Sequence, residues 1–204
     1  MAGADGQTPP LSHIVTRQNG VKMETAYQLK VTLRGSKPPI WRRFVLPSSI
    51  TLSKLHEVIQ TIMGWTDTHL HEFIVGGQHY GVPDPDWRSD DLKSERRVKL
   101  NQLLVRENDR LLYCYDFGDG WEHTLVLEKV LSSGSVALRP KCLAGKRSCP
   151  PEDCGGIYGY YDLLKALSDP NSPDHEEMKI WAGARFDPER FDVDEVNEIL
   201  SDIR

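Results

Sequence analysis

A chain of 204 residues can close one domain around a core and needs no disulfide to hold it together. Hydrophobic residues at 39% and charged residues at 27% lean slightly polar, which points to a tail or long loops around an ordinary core. The net charge of −5 argues against nonspecific wrapping of nucleic acid, and no stretch approaches the roughly 18 apolar residues of a membrane span. With no basic or apolar leader, the expected compartment is the cytoplasm and no membrane partner is expected. Cys114, Cys142, Cys149 and Cys154 would there be free thiols or metal ligands.

Residues 1–24 are polar and carry no sustained period, so a flexible tail is expected ahead of a single domain over 25–204. Tyr27, Leu29, Val31 and Leu33 alternate with polar residues, the signature of a half-buried strand. A turn at 35–39 leads to a partner strand over 40–46. Leu52, Leu55, Ile59, Ile62 and Met63 follow a helical period, with Thr51 as N-cap and Gly64 at the left-handed terminus. Gly76-Gly77 separates two short strands, 69–75 and 78–81. Residues 82–97 read as a charged loop. Strands at 110–115 and 121–131 flank the next turn, and a short strand is expected over 135–139. A Gly/Pro/Cys loop fills 140–158, followed by helices at 160–167, 175–182 and 193–203. Strands come first and helices last, so the expected class is α+β: an antiparallel or mixed sheet of about six to seven strands, one helix from the amino-terminal half, and a carboxy-terminal helical cluster packed on it.

Two motif blocks stand out. In Asp116-Phe-Gly-Asp-Gly-Trp-Glu-His123, Asp119-Gly120 suits a tight turn and Asp116 can accept hydrogen bonds from its backbone. Trp121, His123, Leu125 and Leu127 share one strand face, which turns His123 inward. The candidate acid–base or metal-dependent hydrolase set is Asp116, Asp119, His123, Glu152 and Asp153, since such chemistry needs carboxylates near an imidazole. The second block, Cys149-Pro-Pro-Glu-Asp-Cys-Gly-Gly156, lies in a loop longer than a simple connection requires. Cys142, Cys149 and Cys154 are the zinc candidates, with a fourth ligand from His123, His71 or Cys114, although their C-x6-C and C-x4-C spacing lacks the short C-x2-C pair of a zinc knuckle. Small buried thiols in a rigid turn are the alternative. His69, His71 and Phe73 share one strand face; two histidines need a third ligand to hold a metal, so packing is expected of them.

Charge is unevenly distributed. Residues 169–204 carry eleven acidic and four basic side chains, whereas residues 25–56 carry six basic and no acidic ones. Lys30, Arg34, Arg42 and Arg43 are therefore the candidate nucleic-acid contacts, with a solvated hairpin face as the alternative.

Pro39-Ile-Trp-Arg-Arg43, Gly64-Trp65, His69-Leu-His-Glu-Phe73, the two blocks above and Phe186-Asp-Pro-Glu-Arg-Phe-Asp192 together resemble the plasmid pRiA4b open-reading-frame-three-like family, over residues 27–200. The resemblance implies a compact α+β domain and a link to mobile elements, since the family includes passenger proteins of some insertion elements. A recombinase label that sometimes accompanies the family finds no support, because no His-x-x-Arg occurs in the chain. The expected function is a binding or interaction domain for a nucleic-acid or protein partner, with its ligand where residues 116–123 meet residues 142–156.

Overall fold

The structure is a computed structural model and describes residues 25–83, 91–132, 139–183 and 185–203. The expected tail over 1–24 lies outside the described residues, as does the strand expected over 135–139 apart from its last residue. The elements in chain order are β1 (Thr25–Leu33), β2 (Trp41–Pro47), α1 (Leu52–Met63), β3 (His71–Val75), β4 (Gln78–Gly81), β5 (Leu92–Ser94), two 3-10 turns (Glu95–Arg97 and Leu100–Gln102), β6 (Arg110–Tyr115), β7 (Trp121–Ser132), β8 (Lys141–Lys146), α2 (Gly156–Ser168), α3 (His175–Ala182) and α4 (Val193–Leu200). The described strands form one mixed sheet of eight in the order β5-β4-β3-β6-β7-β1-β2-β8. Every pairing is antiparallel except β4 with β5. Among the described residues no helix is long and apolar enough to cross a membrane.

The alternation along β1 and β7 sets their register. Leu29 and Val31 of β1 pair with Leu127 and Leu125 of β7, and all four are fully buried. A one-residue slip would carry this whole set to solvent. Helix α1 lies on that buried face. Thr51 Oγ1 accepts from Lys54 N (3.3 Å), and Gly64, at φ 91°, donates to Gln60 O. Leu52, Leu55, Val58, Ile59, Ile62 and Met63 form its buried stripe, but His56 and Gln60 are buried with them.

Arg42 has an unexpected place. Only 1% exposed, it donates from Nε to Ile62 O (2.7 Å) and from Nη1 to Trp41 O and Lys146 O, and its guanidinium stacks on Phe191 at 4.0 Å. It thus satisfies a carbonyl of the last turn of α1, where a cation also complements the helix dipole.

Two sequence expectations need correction. The span 140–158 is not one loop: it holds β8, which pairs with β2, and the start of α2. The span 82–97 holds β5 and a 3-10 turn. On the side of β8 away from β2, the Asn197 amide of α4 accepts from Cys142 N (2.8 Å) and donates to Cys142 O (2.9 Å).

Candidate functional site

Between β3 and β6 the buried face of the sheet becomes polar. Gln60 Nε2 donates to Tyr113 Oη (2.8 Å), Tyr113 Oη bonds His56 Nδ1 (2.8 Å), and His56 Nε2 bonds Asp67 Oδ1 (2.7 Å). Asp67 N closes the circuit by donating to Gln60 Oε1 (3.0 Å). One assignment of protons satisfies every member: the Tyr113 hydroxyl donates to Nδ1 and the His56 Nε2–H donates to Asp67. Burial, and then the neighbouring His71, lower the His56 pKa, which favours this neutral tautomer. Burial raises the Tyr113 phenol well above its ordinary value. Asp67 adopts φ 57°, an uncommon conformation for a residue other than glycine.

The imidazole of His71 stacks on that of His56, with ring centroids 3.4 Å apart and planes 6° from parallel. Its Nε2 lies 2.9 Å from Glu95 Oε2, and Glu95 is 1% exposed. A third pair joins His79 Nδ1 to Glu72 Oε2 (2.7 Å). All three histidine–carboxylate pairs line one cavity of about 590 Å³. Leu70, Val82 and Phe117 also line it, and each leaves a large part of its surface exposed. The cavity therefore combines a floor of polar pairs with an apolar rim.

Beside it, the two motif blocks meet. Asp116, at φ 54°, accepts at Oδ1 from Gly118 N (2.9 Å) and Asp119 N (3.3 Å), the turn role expected of it. Asp119 Oδ2 accepts from Gly155 N (3.2 Å). A Cβ on Gly156 would lie 2.3 Å from Asp119 O, so the two backbones approach as closely as they do only because that residue is glycine. Glu152 accepts from Tyr115 Oη (2.5 Å), Thr66 Oγ1 (2.5 Å) and Thr66 N (3.3 Å). Burial works to raise its pKa, but hydrogen bonds from Thr66 and Tyr115 outweigh that and leave it lowered. Trp65 Nε1 donates to Pro150 O (3.0 Å). His69, from the segment before β3, places Nε2 3.3 Å from Asp153 Oδ1 and 3.8 Å from Asp116 Oδ2.

Of the residues singled out from sequence, Asp116, Asp119, Glu152 and Asp153 thus lie at one junction, but His123 does not join them. It is 0% exposed, its Nδ1 faces Tyr113 O at 3.3 Å, its ring meets Trp65 edge-on, and burial depresses its pKa to about 4. The thiols also stay apart: among the described residues, no three of Cys142, Cys149, Cys154 and His123 bring ligand atoms within 4.8 Å of one another. Cys142 Sγ contacts the carbonyls of Arg43 and Ala144, Cys154 Sγ that of Gly156, and Cys149 packs against the core. Burial pushes the Cys154 thiol up to about 12 and Cys149 also upward, as expected of thiols packed as apolar groups.

The basic stretch is likewise engaged. Arg43 makes a bidentate pair with Glu128 (2.6 and 2.9 Å), Arg34 pairs with Glu122, and Lys30 lies over the Trp41 ring. Arg42, expected on the exposed face, is in the core because α1 needs its donors there.

No catalytic or metal-ligand spacing in the sequence marks His56, Asp67, Glu72, His79 or Glu95. His56 and Gln60 did carry a signal: they are i,i+4 polar residues on the face that the apolar period of α1 marks as buried.

The loop blocks that close on each other here are those by which the sequence resembles the pRiA4b family. A family model described as Plasmid pRiA4b ORF-3-like protein matches residues 25–195, so the chain belongs to that family. Among individual proteins, it is 37% identical over 177 residues to "Uncharacterized protein y4hQ" of Sinorhizobium fredii (strain NBRC 101917 / NGR234), across 86% of this chain and 91% of that one. Among solved structures, the crystal structure of the protein of unknown function MM3350 from Methanosarcina mazei Go1 matches with a TM-score of 0.77 at 40% identity, covering 84% of this chain and 97% of the other.

Proposed function

We propose that this chain is a binding domain whose ligand is a small organic cation with an apolar body, seated in the cavity between α1, β3 and β4. The setting implied by the family resemblance, a passenger of mobile elements, is kept in this reading. The observation that carries it is the lining: Asp67, Glu72 and Glu95, each bonded to a histidine, contribute three carboxylates beside Glu57, whose partner is Lys54, and neither lysine nor arginine is itself among the described lining residues. Carboxylates partly withdrawn from water attract a cation more strongly than the same groups would in bulk solvent. The exposed rim supplies the other half of the recognition, since apolar side chains beside a concave polar site mark a surface that gains by being covered. At about 25 cal/mol per Å², seating an apolar body on Leu70, Val82 and Phe117 adds affinity that a bare inorganic ion would not obtain.

Calorimetry with a panel of alkyl and aryl amines, each matched to a carboxylate of the same shape, tests this reading. Amines bind, their matched carboxylates do not, and affinity falls in both Glu72→Gln and Phe117→Ala. Equal binding of the carboxylates, or unchanged amine affinity in both variants, overturns it.

A further inference from the structure

The clasp between the two motif loops has a feature that its internal hydrogen bonds leave unexplained. His69 Nε2 sits between two carboxylate oxygens, 3.3 Å from Asp153 Oδ1 and 3.8 Å from Asp116 Oδ2. It is withdrawn from solvent, and it makes an aligned hydrogen bond to neither. Each of its neighbours is held in place by other means. Asp116 uses Oδ1 to bind the turn amides, which leaves Oδ2 turned toward the histidine. Asp153, at φ 60°, is flanked by Glu152, whose carboxylate is tied to Tyr115 and Thr66.

An imidazole nitrogen and two carboxylate oxygens, all within 4.8 Å of one another, form a donor set for a divalent cation. Bond lengths of about 2.0–2.2 Å in tetrahedral geometry put ligand atoms about 3.4 Å apart, and the His69–Asp153 and His69–Asp116 separations are close to that value. An unbonded nitrogen aimed between two carboxylates is poor geometry for a hydrogen bond and good geometry for a shared metal.

We infer that His69, Asp116 and Asp153 bind one divalent first-row transition cation, such as zinc or manganese, which pins the loop of residues 149–156 to the β6–β7 turn. Nitrogen–oxygen coordination of this kind suits those metals, whereas calcium and magnesium prefer oxygen alone. The donors come from three separate segments, so the metal ties together elements that the chain itself does not join. The inference is independent of the organic-cation reading, because only His69 is common to the two sets.

The test is calorimetry on the full chain, stripped with chelator and titrated with zinc or manganese chloride. One ion binds per chain. His69→Ala and Asp153→Asn each weaken it by at least about 10–100-fold, the range seen when even groups outside the ligand shell are removed. His79→Ala, in the neighbouring cavity, leaves metal affinity unchanged. Asp153 is largely exposed, so Asp153→Asn keeps the fold and the test stands even if His69→Ala does not. Cobalt substitution gives a second readout: nitrogen–oxygen ligation shows no thiolate charge-transfer band. Failure of the wild-type chain to bind, unchanged affinity in Asp153→Asn, or a thiolate band would each overturn the proposal.

Discussion

The two halves of the sheet bury cores of opposite character. Where β1, β2 and β7 meet, the inward side chains include Leu29, Val31, Phe44, Leu46, Leu125 and Leu127, each 0% exposed, and packing alone holds them. Where β3 and β6 meet, the same face carries His71, Phe73 and Tyr113, and α1 answers with His56 and Gln60. An apolar core fails only by losing contact, whereas a polar one fails whenever a single partner is lost. The second kind is therefore the more sensitive to single substitutions, and the cavity opens on it.

The largest effect is expected in the apolar half. Phe44→Ala removes a fully buried ring and costs about 3–5 kcal/mol, read as a lower midpoint in urea unfolding. If it costs as little as an exposed substitution, the division between the halves is wrong.

His123, at the border of the two, makes stability depend on pH. The unfolded imidazole takes its proton near pH 6.5, while the buried one resists down to about 4. Between those values the unfolded chain binds the extra proton, so stability falls as pH falls, by about 3 kcal/mol in all, and levels off below about 4. Urea melts from pH 7 to 4 give the slope, and His123→Gln removes this part of it.

Tyr113→Phe is the smallest of the three and the most specific to the polar half. It leaves Gln60 Nε2 and His56 Nδ1 without their shared partner, at a cost of about 1–3 kcal/mol. A neutral result would mean that the circuit contributes nothing to the fold.

The strands of both halves were legible in the sequence, but the polar packing of the second half was not, for a physical reason. Period-two alternation reports which face of a strand is buried, and it set the inward faces of β1 and β7 and turned His123 inward. The period of α1, with its Thr51 and Gly64 caps, placed the helix. Periodicity in apolar residues cannot register a buried imidazole, so His56 disappeared into the pattern that should have revealed it. Glu95 lies in what reads as a charged loop; only the approach of His71 across the sheet makes it a buried carboxylate. Strand β8, Lys-Cys-Leu-Ala-Gly-Lys, shows no clean alternation, with Cys142 its one buried side chain, α4 packed against it and Phe191 against Gly145. At the motif junction, the loop setting marks Asp116, Asp119, Glu152 and Asp153, and the histidine that lies beside two of them, 3.8 Å from Asp116 and 3.3 Å from Asp153, is His69 from the segment before β3.

The exchange between Asn197 and Cys142 has a consequence for the molecule among its own copies. An outer strand displays unpaired amides and carbonyls to which the backbone of another chain can add, and this is how sheets grow into polymers. One side-chain amide donates and accepts at Cys142 as a passing strand would, so the edge is occupied at that residue by a partner with no backbone to extend. Addition of a second chain at this edge must first displace α4, which turns an open template into a guarded one.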